Sequence, residues 1–208
     1  MYIDLSDKKP SHIYHVMTQT VIPRPIAWVL TDSAFDKSKT NYNLAPFSYF
    51  SAVSSQPPLL MLSVGKKPNG EDKDTCKNVQ NGSKLVIHIA SDDQYVDVTN
   101  SAATLEHGVS EIDQAGLELE SFNGFELPRL KSCDIAFACE LYETKEIGET
   151  PQQLIFCKVL SIYVSDKVLK EDQKGRMIID ASEVSPLARL GASQYSKFGK
   201  IISQSRPK

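Results

Sequence analysis

The length, composition and charge of the chain are those of a single globular domain. Its 208 residues, 41% apolar and 24% charged, predict one domain over residues 1–208 with a core from about 20 to 195. The net charge of -3 lacks the basic surplus of a nucleic-acid-binding protein. With no apolar run long enough for a membrane span and no secretion signal at the N-terminus, we expect a cytoplasmic protein with no membrane or nucleic-acid partner.

Short apolar runs separated by turn residues predict a mainly β protein. The extended runs lie at Pro25 to Thr31, Asn43 to Gln56, Leu59 to Gly65, Lys84 to Ala90, Cys133 to Thr144 and Gln153 to Ser165. The polar stretch from Asp32 to Asn41 is typical of a hairpin loop. Helical patterns run from Asp72 or Asp74 to Gly82 and from Ser91 to about Leu117. Because strands and helices do not alternate strictly, we expect an antiparallel barrel with a few peripheral helices.

The cysteines and histidines form no metal-binding pattern. None of the four cysteines shows CxxC spacing, so we interpret them as reduced core thiols; they are Cys76, Cys133, Cys139 and Cys157. His12 and His15 are three residues apart, which suits a metal on a helix, but a solvated pair is the interpretation we prefer. His88 alternates with apolar residues in a strand, where we expect a hydrogen-bonded, half-buried side chain, with a role near a cofactor as the alternative.

The stretch NLAPFSYFSAVSSQPPLL, from Asn43 to Leu60, interleaves aromatic and hydroxyl side chains. A flat aromatic cofactor with a phosphate tail would use both kinds of residue. Because proline lacks an N–H, Ala45-Pro46 interrupts local pairing and frees backbone groups for a ligand. Downstream, the helix start near Asp74-Thr75 offers amides and a favourable dipole to a phosphate, with Lys66, Lys67 and Lys73 nearby. The alternative is a core strand followed by a solvated charged loop.

The sequence lacks four common nucleotide-binding and catalytic motifs but resembles one family in four segments. GxGxxG, GxxxxGK[ST], HExxH and GxSxG are all absent. The four segments are TVIPRPIAWV (Thr20 to Val29), NLAPFSYFSAVSSQPPLLMLSVG (Asn43 to Gly65), KDTCKN (Lys73 to Asn78) and PLARLGASQY (Pro186 to Tyr195). Their order and approximate spacing are similar to those of the flavin-reductase-like FMN-binding split-barrel family, in the branch that includes flavoredoxin.

This resemblance implies a mainly β fold: a six-stranded split β-barrel with Greek-key topology, working as a homodimer with FMN at the subunit interface. It assigns the residues from Asn43 to Phe50 to the isoalloxazine ring and Ser54 and Ser55 to the ribityl chain or phosphate. Lys73, Asp74 and Thr75 match the phosphate-side motif, with Thr75 as donor and Asp74 as helix cap. Arg24, Arg189 and Tyr195 are assigned to the flavin or to the dimer contact, with a structural salt bridge as the alternative for either arginine. The implied cofactor-binding set is therefore Arg24, Asn43, Leu44, Ala45, Pro46, Phe47, Ser48, Tyr49, Phe50, Ser54, Ser55, Lys73, Asp74, Thr75, Arg189 and Tyr195.

The chain departs from the family pattern in two places. The loop from Thr31 to Tyr42 is longer than the usual hairpin and lacks its glycine, so access to the flavin face is expected to differ. The late motif reads GAS where two glycines are usual, and Ala192 should constrain the backbone there.

The resemblance implies an NAD(P)H-dependent flavin reductase in which NADH or NADPH transfers hydride to flavin N5. No side chain is assigned as an acid or base. Reduced flavin or its electrons would pass to an acceptor protein or a monooxygenase. Two alternatives are a non-catalytic flavin-binding or electron-carrier protein and an FMN-dependent oxidoreductase of a small organic substrate. The sequence does not separate NADH from NADPH, bound FMN from exchanging FMN, or one physiological acceptor from another.

Overall fold

The computed structural model describes residues 1–33, 41–82, 84–103, 105, 109–149, 151–172, 174–205 and 207, without the side chains of residues 81 and 82. The helices are α1 (Pro10–Thr20), α2 (Asp74–Gly82), α3 (Tyr95–Asn100), α4 (Glu111–Ala115) and α5 (Ala181–Val184). The strands are β1 (Arg24–Pro25), β2 (Ala27–Asp32), β3 (Tyr42–Phe47), β4 (Phe50–Ser55), β5 (Pro58–Val64), β6 (Lys84–Ile89), β7 (Leu119–Glu120), β8 (Arg129–Leu130), β9 (Ile135–Ile147), β10 (Gln152–Val164), β11 (Leu169–Glu171), β12 (Met177–Ile179), β13 (Ala188–Arg189) and β14 (Tyr195–Ser196).

The main sheet is antiparallel and has the strand order β3-β2-β6-β9-β10-β5-β4. It therefore has seven strands where six were expected. The difference arises because the extended segment that begins at Asn43 turns at Ser48 and Tyr49 and divides into β3 and β4. These two strands form opposite edges of the sheet, although they are consecutive in the chain.

Strand β2 is buried on both faces and separates two apolar cores. Trp28 and Leu30 pack into one core with Leu44 and Val86, whereas Val29 packs into the other. The second core is formed largely by Phe47, Leu62, Val64, Ile87, Cys139 and Ile155. This double burial explains why the sequence of β2 is continuously apolar instead of alternating.

The helical predictions are confirmed in part. Helix α2 spans Asp74–Gly82, close to the expected range, with Asp74 as the first residue of the helix and not as the cap before it. The pattern from Ser91 to Leu117 instead forms a short 3₁₀ turn and the separate helices α3 and α4. Its apolar anchors are sparse: Val98 and Ile112 are the buried apolar residues of these two helices. Helix α1, which carries the exposed His12 and His15, was not predicted; Pro10 at its first position favours a helix start.

The buried cysteines and His88 behave as structural residues. All four cysteines are buried and free, in agreement with their interpretation as core thiols. His88 is hydrogen-bonded as expected but fully buried, where a half-buried side chain was predicted. Its Nε2 accepts a hydrogen bond from the Leu130 N–H at 2.9 Å, so its Nδ1 carries the proton and donates to the Trp28 carbonyl at 3.0 Å. Within the described part of the chain, no helix is both long and apolar enough to cross a membrane.

Candidate functional site

Two adjoining cavities lie along β3. The first has a volume of about 640 Å³ and the second about 320 Å³. They share a strip of wall formed by Pro46, Phe47, Lys66, Lys67, Pro68, Lys73 and Ala102. Together they form one elongated cleft of the size that binds small cofactors.

The outer edge of β3 presents backbone acceptors to this cleft. The Leu44 N–H points away from β2 and donates to the Glu111 carboxylate at 3.0 Å. Since backbone direction alternates along a strand, Pro46 faces the same edge two residues later, where it has a carbonyl but no N–H. This edge therefore suits a ligand that donates an N–H to the chain.

The first cavity has an aromatic rim. Tyr14 of α1 lies against Tyr49, with 6.3 Å between the ring centroids. On another wall, the Arg189 guanidinium lies 4.6 Å from the ring centroid of Tyr195, whose hydroxyl hydrogen-bonds to Thr99 at 2.9 Å. Rings and a planar cation around an open cavity suit a flat, conjugated ligand.

Of the residues that the structure describes, three lysines line the second cavity, and they differ in their partners. Lys66 is paired with Asp72 at 2.5 Å and Lys67 with Asp74 at 2.9 Å. Lys73 makes no salt bridge to any described residue; its Nζ lies 5.6 Å from the ring centroid of Phe47. Burial lowers the pKa of Lys73 below its ordinary value. Lys73 is therefore the cation in this cavity that is best placed to gain from an incoming anion.

The start of helix α2 forms the wall of the second cavity next to Lys73. Thr75 is buried there, and its hydroxyl accepts a hydrogen bond from the Asn43 side chain at 3.4 Å. The amides of a first helical turn have no intrahelical acceptor, and the helix dipole adds partial positive charge. A hydroxyl, helix amides and a lysine therefore converge at this end of the cleft.

Comparisons with known proteins identify the family. The chain matches the family model of the flavin reductase like domain over residues 17–186. The chain belongs to the flavin reductase-like family. This is a flavin-binding family of oxidoreductases. The protein YwrF of Bacillus subtilis (strain 168) is 32% identical to this chain over the full length of both proteins.

Solved structures of flavin reductase-like proteins have the same fold. Nitrilotriacetate monooxygenase component B from Bacillus cereus is 29% identical, with a TM-score of 0.86 over 98% of each chain. Flavoredoxin of Desulfovibrio vulgaris (Miyazaki F) has a TM-score of 0.74 over 99% of this chain and 97% of its own, at 16% identity. The second likeness is one of fold alone.

Eleven of the sixteen residues assigned from the family resemblance line the cleft. They are Asn43, Ala45, Pro46, Phe47, Ser48, Tyr49, Lys73, Asp74, Thr75, Arg189 and Tyr195. The others lie outside both cavity walls: Leu44 is in a core, Phe50 packs against the other core, and Ser54 and Ser55 are exposed on β4. Arg24 is buried and lies outside both cavity walls.

The side chain of Arg24 is held by backbone carbonyls. This differs from the salt bridge that was the structural alternative considered for it. Its guanidinium donates to the carbonyls of Thr18 and Val21 near the end of α1 and to that of Leu190, at 2.5, 2.6 and 2.8 Å. It also lies 3.4 Å from the Ser48 hydroxyl, which faces the first cavity. Arg24 thus supports the cavity wall from behind.

Glu111 and Tyr14 line the cleft but were not recognised in the sequence. Glu111 stands in the polar segment SEIDQA and becomes buried only because α4 docks on the edge of β3. Ala192, which was expected to constrain its loop, adopts a φ of 51°, a left-handed conformation that glycine takes more readily. Of the segment from Thr31 to Tyr42 that was predicted to be a long loop, residues 34–40 lie outside the described residues.

Proposed function

We propose that the protein is an NAD(P)H-dependent flavin reductase that binds FMN in the cleft along β3. The observation that carries this proposal is Lys73, a half-buried lysine without a carboxylate partner among the described residues, which lies beside the start of α2 where the first cavity, with its aromatic rim, meets the second. An anion in the second cavity and a conjugated ring in the first would be the two parts of FMN. When bound, the cofactor supplies the hydride-accepting atom, N5.

The side chains of the cleft would bind and orient the flavin without acting as acids or bases in the hydride transfer. Lys73 and Thr75 hold the phosphate, while Phe47 and Tyr49 form apolar walls beside the ring system. The Pro46 carbonyl accepts an N–H from the edge of the ring. Tyr14 and Arg189 stand at the rim, where a nicotinamide would approach and where water must be excluded.

Anaerobic mixing of the FMN-loaded protein with NADH and with NADPH tests the reaction. We expect the visible flavin absorption band to bleach within seconds with one or both nucleotides, because hydride transfer reduces the ring. Bleaching with dithionite but with neither nucleotide would contradict the reductase and favour an electron carrier. Slow bleaching that a small organic oxidant reverses at a catalytic rate would favour the third function considered, an FMN-dependent oxidoreductase.

Replacing Thr75 by Ala is expected to weaken FMN binding by about 1 to 2 kcal/mol, the usual contribution of a hydrogen bond to a charged group. Thr75→Ser, which keeps the hydroxyl, is the matched control and should retain most of the affinity. Isothermal titration with FMN measures both variants. An unchanged affinity in Thr75→Ala would mean that the phosphate binds elsewhere.

We further propose that the protein works as a cytoplasmic homodimer, with the flavin between subunits. Three β-bulges in the main sheet each expose an extra apolar residue: Val53 in β4, Tyr142 in β9 and Leu160 in β10. Ile162 of β10 is exposed as well. Exposed apolar residues on the strands β4, β9 and β10 are typical of an interface. Reduced FMN or its electrons would pass from the dimer to an acceptor protein or monooxygenase.

A further inference from the structure

Glu111 is a buried carboxylate that holds the cofactor strand. Only 7% of its surface is exposed, and its Oε2 accepts the Leu44 N–H at 3.0 Å. Beside it, the Ser110 hydroxyl donates to the Tyr42 carbonyl at 2.7 Å. Ser110 and Glu111, at the start of α4, thus each hydrogen-bond to one backbone group of β3, on either side of Asn43. The outer edge of β3 is thereby fixed just before Pro46.

The same carboxylate belongs to a cavity whose charges are closely balanced. Among the described residues, the second cavity is lined by three ammonium groups (Lys66, Lys67, Lys73) and two carboxylates (Asp74, Glu111). Asp72 compensates Lys66, and Asp74 compensates Lys67. That leaves Lys73 and Glu111 to balance each other in net charge. The dianionic phosphate of FMN would therefore give this cavity an excess of two negative charges, and the uptake of one proton would halve that excess.

Resting on the proposed function, we propose that flavin binding is linked to proton uptake by Glu111. One proton from the solvent binds the carboxylate as the phosphate enters the second cavity. A neutral carboxylic acid still has an oxygen that accepts the Leu44 N–H, so the hold on β3 is kept. Its new O–H can also donate to an anion. Glu111 is thus a positioning residue for β3 and sets the pH dependence of FMN affinity.

The groups around Glu111 make its carboxylate a better proton acceptor than the neighbouring titratable side chains. Burial raises the pKa of Glu111, and the nearby Asp74 raises it further, while Lys67 and the Leu44 amide act in the opposite direction. On β3, the pKa of Tyr42 is also raised by burial and by Asp32, which keeps that phenol neutral across the range in question. Lys66 has a raised pKa because of Asp72, and it keeps its charge. Asp113 is the other titratable residue of α4.

The sign of the linkage sets the design of the test. Ionised Glu111 repels the phosphate, so FMN affinity should fall as pH rises through the ionisation of this group. The phosphate itself ionises near pH 6, which strengthens its attraction to lysines over part of the same range. In the parent protein alone, the dependence of FMN affinity on pH therefore contains both effects. The comparison with Glu111→Gln separates the two effects, because glutamine keeps the acceptor for Leu44 and carries no charge.

The experiment titrates FMN into the parent protein, Glu111→Gln and Glu111→Ala between about pH 5 and pH 8.5. We expect the ratio of the parent dissociation constant to that of Glu111→Gln to rise from near one at the acidic end to about tenfold, which is the equivalent of one pKa unit of coupling. Glu111→Ala should bind FMN more weakly than Glu111→Gln at every pH, because the Leu44 amide loses its acceptor.

Calorimetry near pH 7.5 in two buffers of different ionisation enthalpy then counts protons. The parent protein should take up more protons per FMN than Glu111→Gln does. A ratio of dissociation constants that stays flat with pH, or equal proton uptake in the two proteins, would overturn the linkage while leaving flavin binding intact. A parent protein that binds no FMN at any pH would overturn the proposed function and this inference together. Thermal melting of each variant confirms that the comparison is made between folded proteins.

Discussion

A variant in which Leu160 and Ile162 are both replaced by lysine is expected to be a monomer that has lost its flavin. Both side chains are about half exposed on β10, with relative accessibilities of 46% and 54%. An uncompensated charge in a buried interface costs on the order of 3 kcal/mol. Two such charges should raise the dimer dissociation constant more than about a thousandfold. If the flavin lies between subunits, its affinity should fall in parallel.

Light scattering after size exclusion gives the oligomeric state, and FMN titration gives the affinity of the same samples. The matched control replaces Ile178 and Ile179 by lysine, since these two exposed residues lie on the separate β11–β12 ribbon. The control should remain a dimer and keep its FMN. A monomeric Leu160→Lys, Ile162→Lys protein with parental FMN affinity would show that each chain holds its cofactor alone.

The stability of the protein is expected to fall by about 3 kcal/mol through His88 alone as the pH is lowered from 7 to 4. Burial lowers the pKa of His88 from 6.5 to about 4. Below pH 6.5 the unfolded chain therefore binds a proton that the folded protein excludes. Each unit of difference between the two pKa values changes the free energy of unfolding by about 1.4 kcal/mol. The contribution is complete above pH 6.5 and is lost as the pH approaches 4. A proton on Nε2 would also break the hydrogen bond from the Leu130 amide.

Urea unfolding at several pH values measures this contribution by difference, because ionisable carboxylates also respond to acid. His88→Gln should be less stable than the parent at pH 7, and the gap between the two should close by most of this amount toward pH 4. His12→Gln, which removes an exposed histidine from α1, is the control and should follow the parent curve. A constant gap between the parent and His88→Gln would mean that folding does not change the pKa of His88.

Local sequence patterns were sufficient to predict most of the main sheet. Apolar runs bounded by proline and glycine predicted β2, β5, β6, β9 and β10, whose partners all lie in the same sheet. The sequence pattern did not reveal that the chain turns at Ser48 and Tyr49, because a turn of only two residues does not interrupt the spacing of apolar residues. The helical pattern after Ser91 was also misjudged: short helices depend on tertiary contacts more than on periodicity.

Site residues could be predicted where they stand together in one short motif. They could not be predicted where their role depends on contacts with residues far away in the sequence. Lys73 and Thr75 lie in one short segment, and both line the second cavity. Arg24 also stands in a recognisable motif, but its partners are carbonyls at Thr18, Val21 and Leu190, the last of them 166 positions away. Glu111 lies in no motif at all, because its role depends on a hydrogen bond to Leu44 across 67 positions.

The carbonyl shell around Arg24 also limits how far the chain can be trimmed. A fragment cut to residues 17–186, the span of the family match, would lack Leu190 and most of α1. The guanidinium would then lose one of its three carbonyl acceptors, and the other two would depend on a helix reduced to its last turn. The smallest useful fragment of this protein therefore extends past both ends of the family match, and recombinant domains should be bounded by the contacts of this arginine.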